Sequence, residues 1–141
     1  MTLFHLAIPI NDIAQSRRFY EQVLNCTVGR SATRWIDINF WNHQVSLHVV
    51  DDLVMAKQTN SVDSDTVPVR HFGLILDWDQ WLELKHRLTD GPYSAEISWV
   101  IQPKIRFEGE VGEQATMFLR DPSGNVLEFK SFQDMTQVFE S

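Results

Sequence analysis

EQATMFLRDPSGNVLEFKSF, residues 113–132, gives the clearest indication of the fold. Its apolar content predicts a strand over Ala115–Arg120 and another over Val126–Phe132. Between them lies DPSGN, residues 121–125, a run of residues that favour turns. The segment is therefore predicted to be two strands joined by a tight connection.

The same order of elements occurs in each half of the chain. A strand over His71–Leu76, a helix over Trp78–Leu88 and a strand near Ile97–Phe107 lead into the quoted pair. The first half is predicted to contain a strand, a helix and three strands, at Leu3–Ile10, Ile13–Leu24, Thr27–Arg30, Arg34–Phe40 and His43–Val50. The chain is therefore predicted to be α+β, with one βαβββ module over residues 1–50 and a second over residues 71–141. Residues 51–70 have the Asp, Asn, Ser and Pro content of a loop and are predicted to be the linker.

The charge and the cysteine content argue against several classes of partner and location. The 141 residues carry a formal net charge of -7, so phosphate backbones and anionic lipids are repelled on average. Nucleic acid is therefore not expected as a partner. A membrane is not expected either, since no apolar run approaches the roughly 20 residues that span a bilayer. Cys26 is the single cysteine, and the first residues lack the basic start of a secretion signal. We therefore expect a cytoplasmic protein.

Each predicted strand has one apolar face and one face of different character, because alternate residues on a strand point to opposite sides of its sheet. In the last strand Leu127 and Phe129 form the apolar set, while Glu128 and Lys130 point the other way. The second faces of the other strands carry His5, Trp35, Asp37, Asn39, Gln44, Ser46, His48, His71 and Gly73. Histidines and a glutamate are donor types of transition-metal sites. This face is therefore predicted to perform chemistry or to bind a ligand.

Three segments of the sequence resemble the vicinal oxygen chelate superfamily. They are FHLAIPINDIAQSRRFYEQVLNC at 4–26, HFGLIL at 71–76 and EQATMFLRDPSGNVLEFKSF at 113–132. This superfamily contains glyoxalase I, extradiol ring-cleaving dioxygenases, bleomycin-binding proteins and fosfomycin-modifying resistance enzymes. The chain looks most like its small single-chain bacterial members of the dioxygenase-like or glyoxalase-like kind. The resemblance implies that the two βαβββ modules curl their sheets into an open cup.

The resemblance also implies a metal site. His5, His71 and Glu128 fall on the ligand positions that most metal-binding members share. His48 falls on the fourth-strand position that supplies a further ligand in glyoxalase I, and it is predicted to be either that ligand or a catalytic acid or base. We favour the catalytic role, because three protein ligands leave room for a bidentate substrate and dioxygen. Two histidines and one carboxylate resemble the facial triad of non-haem Fe(II) oxygenases, so Fe(II) is the first expectation, with Mn, Ni and Zn as alternatives.

The leading hypothesis is a divalent-metal-dependent enzyme that binds two oxygens of a small substrate and acts like an extradiol dioxygenase. A glyoxalase-like isomerase or lyase is the first alternative. The second is a non-catalytic protein that sequesters a small ligand, as the bleomycin-binding members do. Those members typically lack the ligand residues, which favours the enzyme. The candidates for substrate binding are Trp35, Asp37, Arg106, Phe118 and Lys130.

A homodimer is expected, because the edges of two open cups are strands that a partner would cover. The linker is long enough for the cup to close within one chain or by exchange between two chains. Both arrangements stay open at this point.

Overall fold

The computed structural model describes residues 1–140, which form two compact units. The first unit contains Met1–Met55 together with the turn Asp121–Asn125. The second contains Ala56–Arg120 and the chain from Val126 onward. The DPSGN segment predicted from the sequence as a turn therefore belongs to the first unit, although the strands that flank it belong to the second.

The first unit has the predicted βαβββ order. Its elements are β1 (His5–Ile10), α1 (Ile13–Arg18), a π-helical turn (Phe19–Val23), β2 (Thr27–Ala32), β3 (Trp35–Phe40) and β4 (His43–Val49). The strands lie in the order β1-β4-β3-β2, with β1 parallel to β4 and the other pairs antiparallel. Trp41 and Asn42 join β3 to β4 with φ angles of 48° and 70°, which is the backbone of a tight hairpin turn.

The first helix differs from its prediction in its second half. Asp12 caps it, since its carboxylate accepts hydrogen bonds from the backbone nitrogens of Ala14 and Gln15. From Phe19 to Val23 the helix widens into a π turn, in which the Leu24 nitrogen donates to the Phe19 carbonyl at 3.0 Å. Phe19, Tyr20 and Val23 are all buried there. Apolar spacing predicts a helix but not this local widening, because both helix types bury a similar face.

The second unit repeats the order and adds a hairpin before it. Its elements are β5 (Thr59–Val62), β6 (Asp65–Pro68), β7 (Phe72–Ile75), α2 (Trp78–Asp90), a 3₁₀ turn (Ser94–Glu96), β8 (Ser98–Arg106), β9 (Gln114–Arg120), β10 (Val126–Phe132) and a final 3₁₀ turn (Met135–Gln137). The main sheet has the order β7-β10-β9-β8, and β7 runs parallel to β10. The predicted α+β fold with two βαβββ modules is confirmed.

Helix α2 covers one face of the second sheet. A capping box between Asp77 and Gln80 starts the helix, and Trp81, Leu84 and Leu88 are buried on one side of it. The Trp81 indole nitrogen donates to the Phe129 carbonyl at 2.8 Å. Leu127 and Phe129 of β10 are fully buried, as the strand pattern predicts. The other face of this sheet is thus the one that carries Glu128.

The segment predicted as a linker contains strand structure. β5 and β6 form a hairpin around Asp63 and Ser64, whose φ angles are 47° and 67°. Val67 is its buried anchor and packs with Phe118 and Val126 of the main sheet. The sequence of this hairpin is mostly polar and exposed, so it lacks the apolar alternation by which a strand is predicted.

None of the helices formed by residues 1–140 has the length and apolar character that a bilayer span requires.

Candidate metal centre

His71 and Glu128 face each other in the second unit. The His71 Nε2 atom lies 3.3 Å from Glu128 Oε1. Their contact follows from the pairing of β7 with β10, in which Glu128 lies opposite Gly73, two residues after His71. The sequence placed both residues on the face opposite the apolar one, and the structure brings them together.

The orientation of the His71 ring is fixed by a backbone carbonyl. Its Nδ1 atom lies 2.6 Å from the Pro68 oxygen, and a carbonyl at that distance requires an N–H on Nδ1. Nε2 is then the ring nitrogen that faces Glu128: it donates an N–H when the ring is protonated and presents a lone pair when the ring is neutral. The ring edge also contacts Phe118, with 5.0 Å between centroids. This arrangement matches metal-binding histidines, which commonly donate the other ring N–H to a carbonyl or carboxylate.

Glu128 is held in the same way by a second partner. The Thr116 hydroxyl donates to Glu128 Oε2 at 2.7 Å, which leaves Oε1 facing His71. Burial acts to raise the pKa of Glu128, but the hydrogen bonds from His71 and Thr116 lower it below its ordinary value overall. The hydrogen bond to Glu128 is the main reason that the pKa of His71 is raised, against the opposing effect of burial. A neutral His71 would place its Nε2 lone pair against the Glu128 carboxylate, which is repulsive. The contact is therefore favourable only when the ring carries a proton on Nε2 or when a cation lies between the two groups.

The pair fits part of a metal site. Two donor atoms that share one ion at roughly 2.0–2.2 Å lie about 3 to 3.5 Å apart, and the His71–Glu128 separation falls in that range. Among residues 1–140 no group of three or more His, Cys, Asp and Glu side chains is placed to hold a metal ion. His5, the third predicted ligand, lies exposed on β1 of the first unit.

The corresponding face of the first sheet contains a buried carboxylate. Asp37 accepts hydrogen bonds from the Ser46 hydroxyl at 2.6 Å and from the Gln44 amide at 3.2 Å. A cavity of about 290 Å³ lies beside it. Gln44, Asp37, Arg30 and His43 are among its lining residues. Gln44 also lies opposite His5 in the pairing of β4 with β1. Both oxygens of the carboxylate beside this cavity are therefore already bonded within the protein.

Strand register places Ser46, and not His48, at the position equivalent to Glu128. Ala7 follows His5 by two residues and pairs with Ser46, just as Gly73 follows His71 by two and pairs with Glu128. His48 lies one step further along the same face, exposed, and opposite Trp35. Its counterpart in the second sheet is Lys130, which lies opposite Thr116.

The comparisons with known proteins agree with this architecture. The sequence profile of the Glyoxalase/Bleomycin resistance protein/Dioxygenase superfamily matches residues 2–129. The chain belongs to this superfamily. A glyoxalase/bleomycin resistance protein/dioxygenase from Alicyclobacillus acidocaldarius is 29% identical, with a TM-score of 0.79 over 97% of this chain and 96% of that one. No curated protein sequence is similar enough to count as a match.

Two more distant superfamily structures share the fold alone. The fosfomycin resistance protein FosX from Listeria monocytogenes is 12% identical, with a TM-score of 0.68 and coverage of 97% of both chains. A lactoylglutathione lyase from Agrobacterium tumefaciens is 16% identical, with a TM-score of 0.61 and coverage of 92% of both chains.

The remaining candidates for substrate binding occupy different settings in this superfamily member. Trp35 is half-buried, and the Arg30 guanidinium lies 5.7 Å from its ring centroid. Phe118 is buried between Val67 and His71 and lies opposite Glu128, so it is part of the same face. Arg106 is almost completely buried and paired with Asp65 of the hairpin. Lys130 is half-buried, two residues after Glu128 on β10.

Several residues that orient the candidate ligands or pair with the candidate binding residues were not predicted from the sequence. Thr116 and Pro68 orient Glu128 and His71, and Asp65 pairs with Arg106. Thr116 shares the alternation of Phe118 on β9, which is a signal that could have identified it. The roles of Pro68 and Asp65 depend on the β5–β6 hairpin, which the polar sequence of this segment does not predict.

Proposed function

We propose that this protein binds one divalent metal ion through His71, Glu128 and His5 and acts on a small oxygen-rich substrate that binds the ion through two oxygens. The contact between His71 Nε2 and Glu128 Oε1 carries the proposal, because these two donors meet with their other polar atoms already committed to Pro68 and Thr116. His5 is added from its position in the strand pattern and from the superfamily resemblance.

A bound divalent ion would polarise two substrate oxygens and stabilise negative charge that develops on them. Two histidines and one carboxylate suit Fe(II) first, and Mn, Ni or Zn also accept these donors. The protein's contribution is to hold its donors in place: Pro68 fixes the ring of His71, Thr116 fixes one oxygen of Glu128, and Phe118 excludes water from one side of His71.

We further propose that His48 transfers a proton to or from the substrate instead of binding the ion. Ser46 holds the register position equivalent to Glu128, and its hydroxyl is bound to the buried Asp37. His48 lies one step further along the face and is exposed. An imidazole near neutral pH is suited to accept a proton from a hydroxyl that binds beside it.

Ring opening of a catechol-type substrate by dioxygen, which supplies both oxygen atoms added to the cleaved ring, is the reaction class that we propose first. The catechol assays therefore admit dioxygen after reconstitution. The names of two similar folds, a lactoylglutathione lyase and a fosfomycin resistance protein, make an isomerase or lyase the alternative reaction. Protein purified without added metal and then reconstituted anaerobically with Fe(II), Mn(II), Ni(II) or Zn(II) tests both. Elemental analysis and a screen of catechols and of glutathione adducts of 2-oxoaldehydes are the measurements.

We expect one ion per chain and turnover of a catechol in the Fe(II) protein. Turnover of the glutathione adducts alone would make the isomerase or lyase the better proposal and would leave the proposed metal site unchanged. Protein that binds no ion under any of these conditions but retains small ligands tightly would instead support a sequestering function.

A further inference from the structure

Two basic residues of β8 lie on the face of the second sheet that carries Glu128. Lys104 pairs with Thr116 and Arg106 with Gln114 across β9. Residues opposite each other in an antiparallel pair share a face, and so do alternate residues of one strand. Lys104, Thr116 and Glu128 therefore lie on the same face of three adjacent strands. Lys130 is directly in line with Thr116, and Glu128, which accepts from the Thr116 hydroxyl, lies one step further along the face.

Asp65 of the hairpin covers both basic residues. Lys104 Nζ donates to Asp65 Oδ2 at 2.8 Å, and Arg106 Nη2 donates to the same oxygen at 2.9 Å. Arg106 Nη1 donates to the Val62 carbonyl at 3.2 Å. One carboxylate oxygen thus serves two cations.

The guanidinium of Arg106 is incompletely satisfied. Its side chain is only 4% exposed, yet its buried Nε has no hydrogen-bond partner within residues 1–140. Nε and Nη2 form the edge of the guanidinium that binds a carboxylate in a bidentate manner. Asp65 reaches Nη2 alone. The cluster therefore carries two positive charges against one negative charge. The Arg106 charge is buried and its desolvation is costly, whereas the Lys104 side chain is 37% exposed.

The hairpin that carries Asp65 makes little apolar contact with the sheet, and its polar contacts with β8 are those of Lys104 and Arg106. β5 and β6 form a separate two-stranded sheet, and the residues of β5 are exposed. Val67 is the buried side chain that packs this hairpin against the main sheet. Asp65 pairs with Val62 at the turn end of the hairpin, whereas Pro68, which holds His71, lies at the other end next to Val67. The turn end can therefore move locally while Pro68 stays beside His71.

We propose that Lys104 and Arg106 form a binding subsite for a carboxylate group of the substrate, which replaces Asp65. This inference rests on the proposed function for the position of the chelating oxygens at His71 and Glu128. β8 and β10 are separated by two strand spacings, about 10 Å between backbones. Long basic side chains shorten that gap to the length of one small aromatic acid. The substrate class is therefore a small oxygen-rich molecule that also carries a carboxylate.

Calorimetric titration of the metal-free protein with two probes tests the subsite. The probes are 3,4-dihydroxybenzoate and its neutral amide, which have the same shape and differ in charge. We expect the acid to bind more tightly than the amide. In Asp65→Asn the Kd of the acid should fall roughly tenfold, the scale of a charge-assisted hydrogen bond, while the Kd of the amide stays nearly constant.

Two lysine variants make the test specific. Lys104→Gln should reduce the preference for the acid, whereas Lys85→Gln, the same charge change on the exposed side of α2, should leave it unchanged. Circular dichroism identifies a variant that does not fold, and Lys104→Gln tests the subsite while the hairpin carboxylate of Asp65 is kept. Equal affinities for the two probes in the wild type, or an equal effect of Lys85→Gln and Lys104→Gln on the preference for the acid, would overturn the proposal. A protein that binds no metal but prefers the acid would refute the proposed function and support the subsite.

Discussion

Gly73 lies directly opposite Glu128 in the parallel pairing of β7 with β10, and a Cβ atom at Gly73 would overlap the Glu128 backbone carbonyl oxygen. Glycine is thus required beside the carboxylate that we place at the metal. Gly73→Ala should displace β10 locally, lower the free energy of unfolding by about 1–3 kcal/mol and weaken metal binding. Chemical denaturation and elemental analysis measure the two effects.

Gly29→Ala is the matched control for that change. A Cβ atom at Gly29 would lie 3.5 Å from the Cβ of Asp37, which is an ordinary contact. We expect its stability to change by no more than about 0.5 kcal/mol. A Gly73→Ala protein as stable and as rich in metal as Gly29→Ala would contradict the proposed importance of this close approach.

Glu128→Gln should remove most of the bound metal, while Lys130→Gln should retain it. The first change replaces an anionic oxygen donor by a neutral amide of the same size, and the second removes a neighbouring charge on the same strand. Metal content after dialysis against a weak chelator is the measurement. Equal content in the two variants would exclude Glu128 as a ligand.

His48→Ala should keep its metal and lose turnover by roughly 10²-fold, the usual scale for loss of a general acid or base. His86→Ala is the control, because His86 is exposed on α2 and bound to Asp90. Parallel measurement of metal content and initial rate separates the two roles of His48. If metal and rate fall together, His48 is a ligand and the glyoxalase-like reaction becomes the better proposal.

The buried Tyr20–Asp121 hydrogen bond, 2.8 Å long, predicts a pH-dependent effect on stability. Burial raises the pKa of Asp121 above 3.8, so the folded protein binds this proton more tightly than the unfolded chain. The corresponding stability is present below that value and is lost as pH rises through the folded pKa. The Tyr20 hydroxyl lowers the pKa of Asp121. Removal of this hydroxyl should therefore raise the pKa of Asp121 further, so that the loss of stability occurs at higher pH.

Tyr20→Phe should accordingly cost about 1–2 kcal/mol near neutral pH and less in acid. Urea denaturation at several pH values measures the difference. In an Asp121→Asn background the cost of Tyr20→Phe should no longer vary over the acidic range. A cost that is independent of pH in the wild-type background would contradict this account.

A homodimer is expected from the edges of the two sheets. β1 and β7 each end the strand order of their sheet, and edge strands present backbone groups that a partner can bind. Light scattering at micromolar concentration should give about twice the chain mass. A strictly monomeric mass would show that the edges are protected in some other way.

The fold could be predicted from the sequence, and so could the face of the second sheet on which Glu128 lies. Alternation along the strands separated Leu127 and Phe129 from Glu128, and the buried and half-buried states of these residues agree. The DPSGN segment marked its turn, where Gly124 has a φ of 92°. These are local properties, set by the two-residue period of a strand and by backbone conformations that few residues tolerate.

The partners of these residues depended on the tertiary structure. The register of strand pairing shows that Ser46, and not His48, is equivalent to Glu128. The alternation of apolar and polar residues does not predict this register, because a shift of two residues keeps every side chain on the same face. The contact of Asp65 with Lys104 and Arg106 joins residues 39 and 41 positions apart. Its hairpin has a polar sequence, and Val67 is the buried residue of its two strands, so only the folded chain places it over the sheet. Long-range contacts of this kind depend on which surfaces pack, and no local pattern encodes that choice.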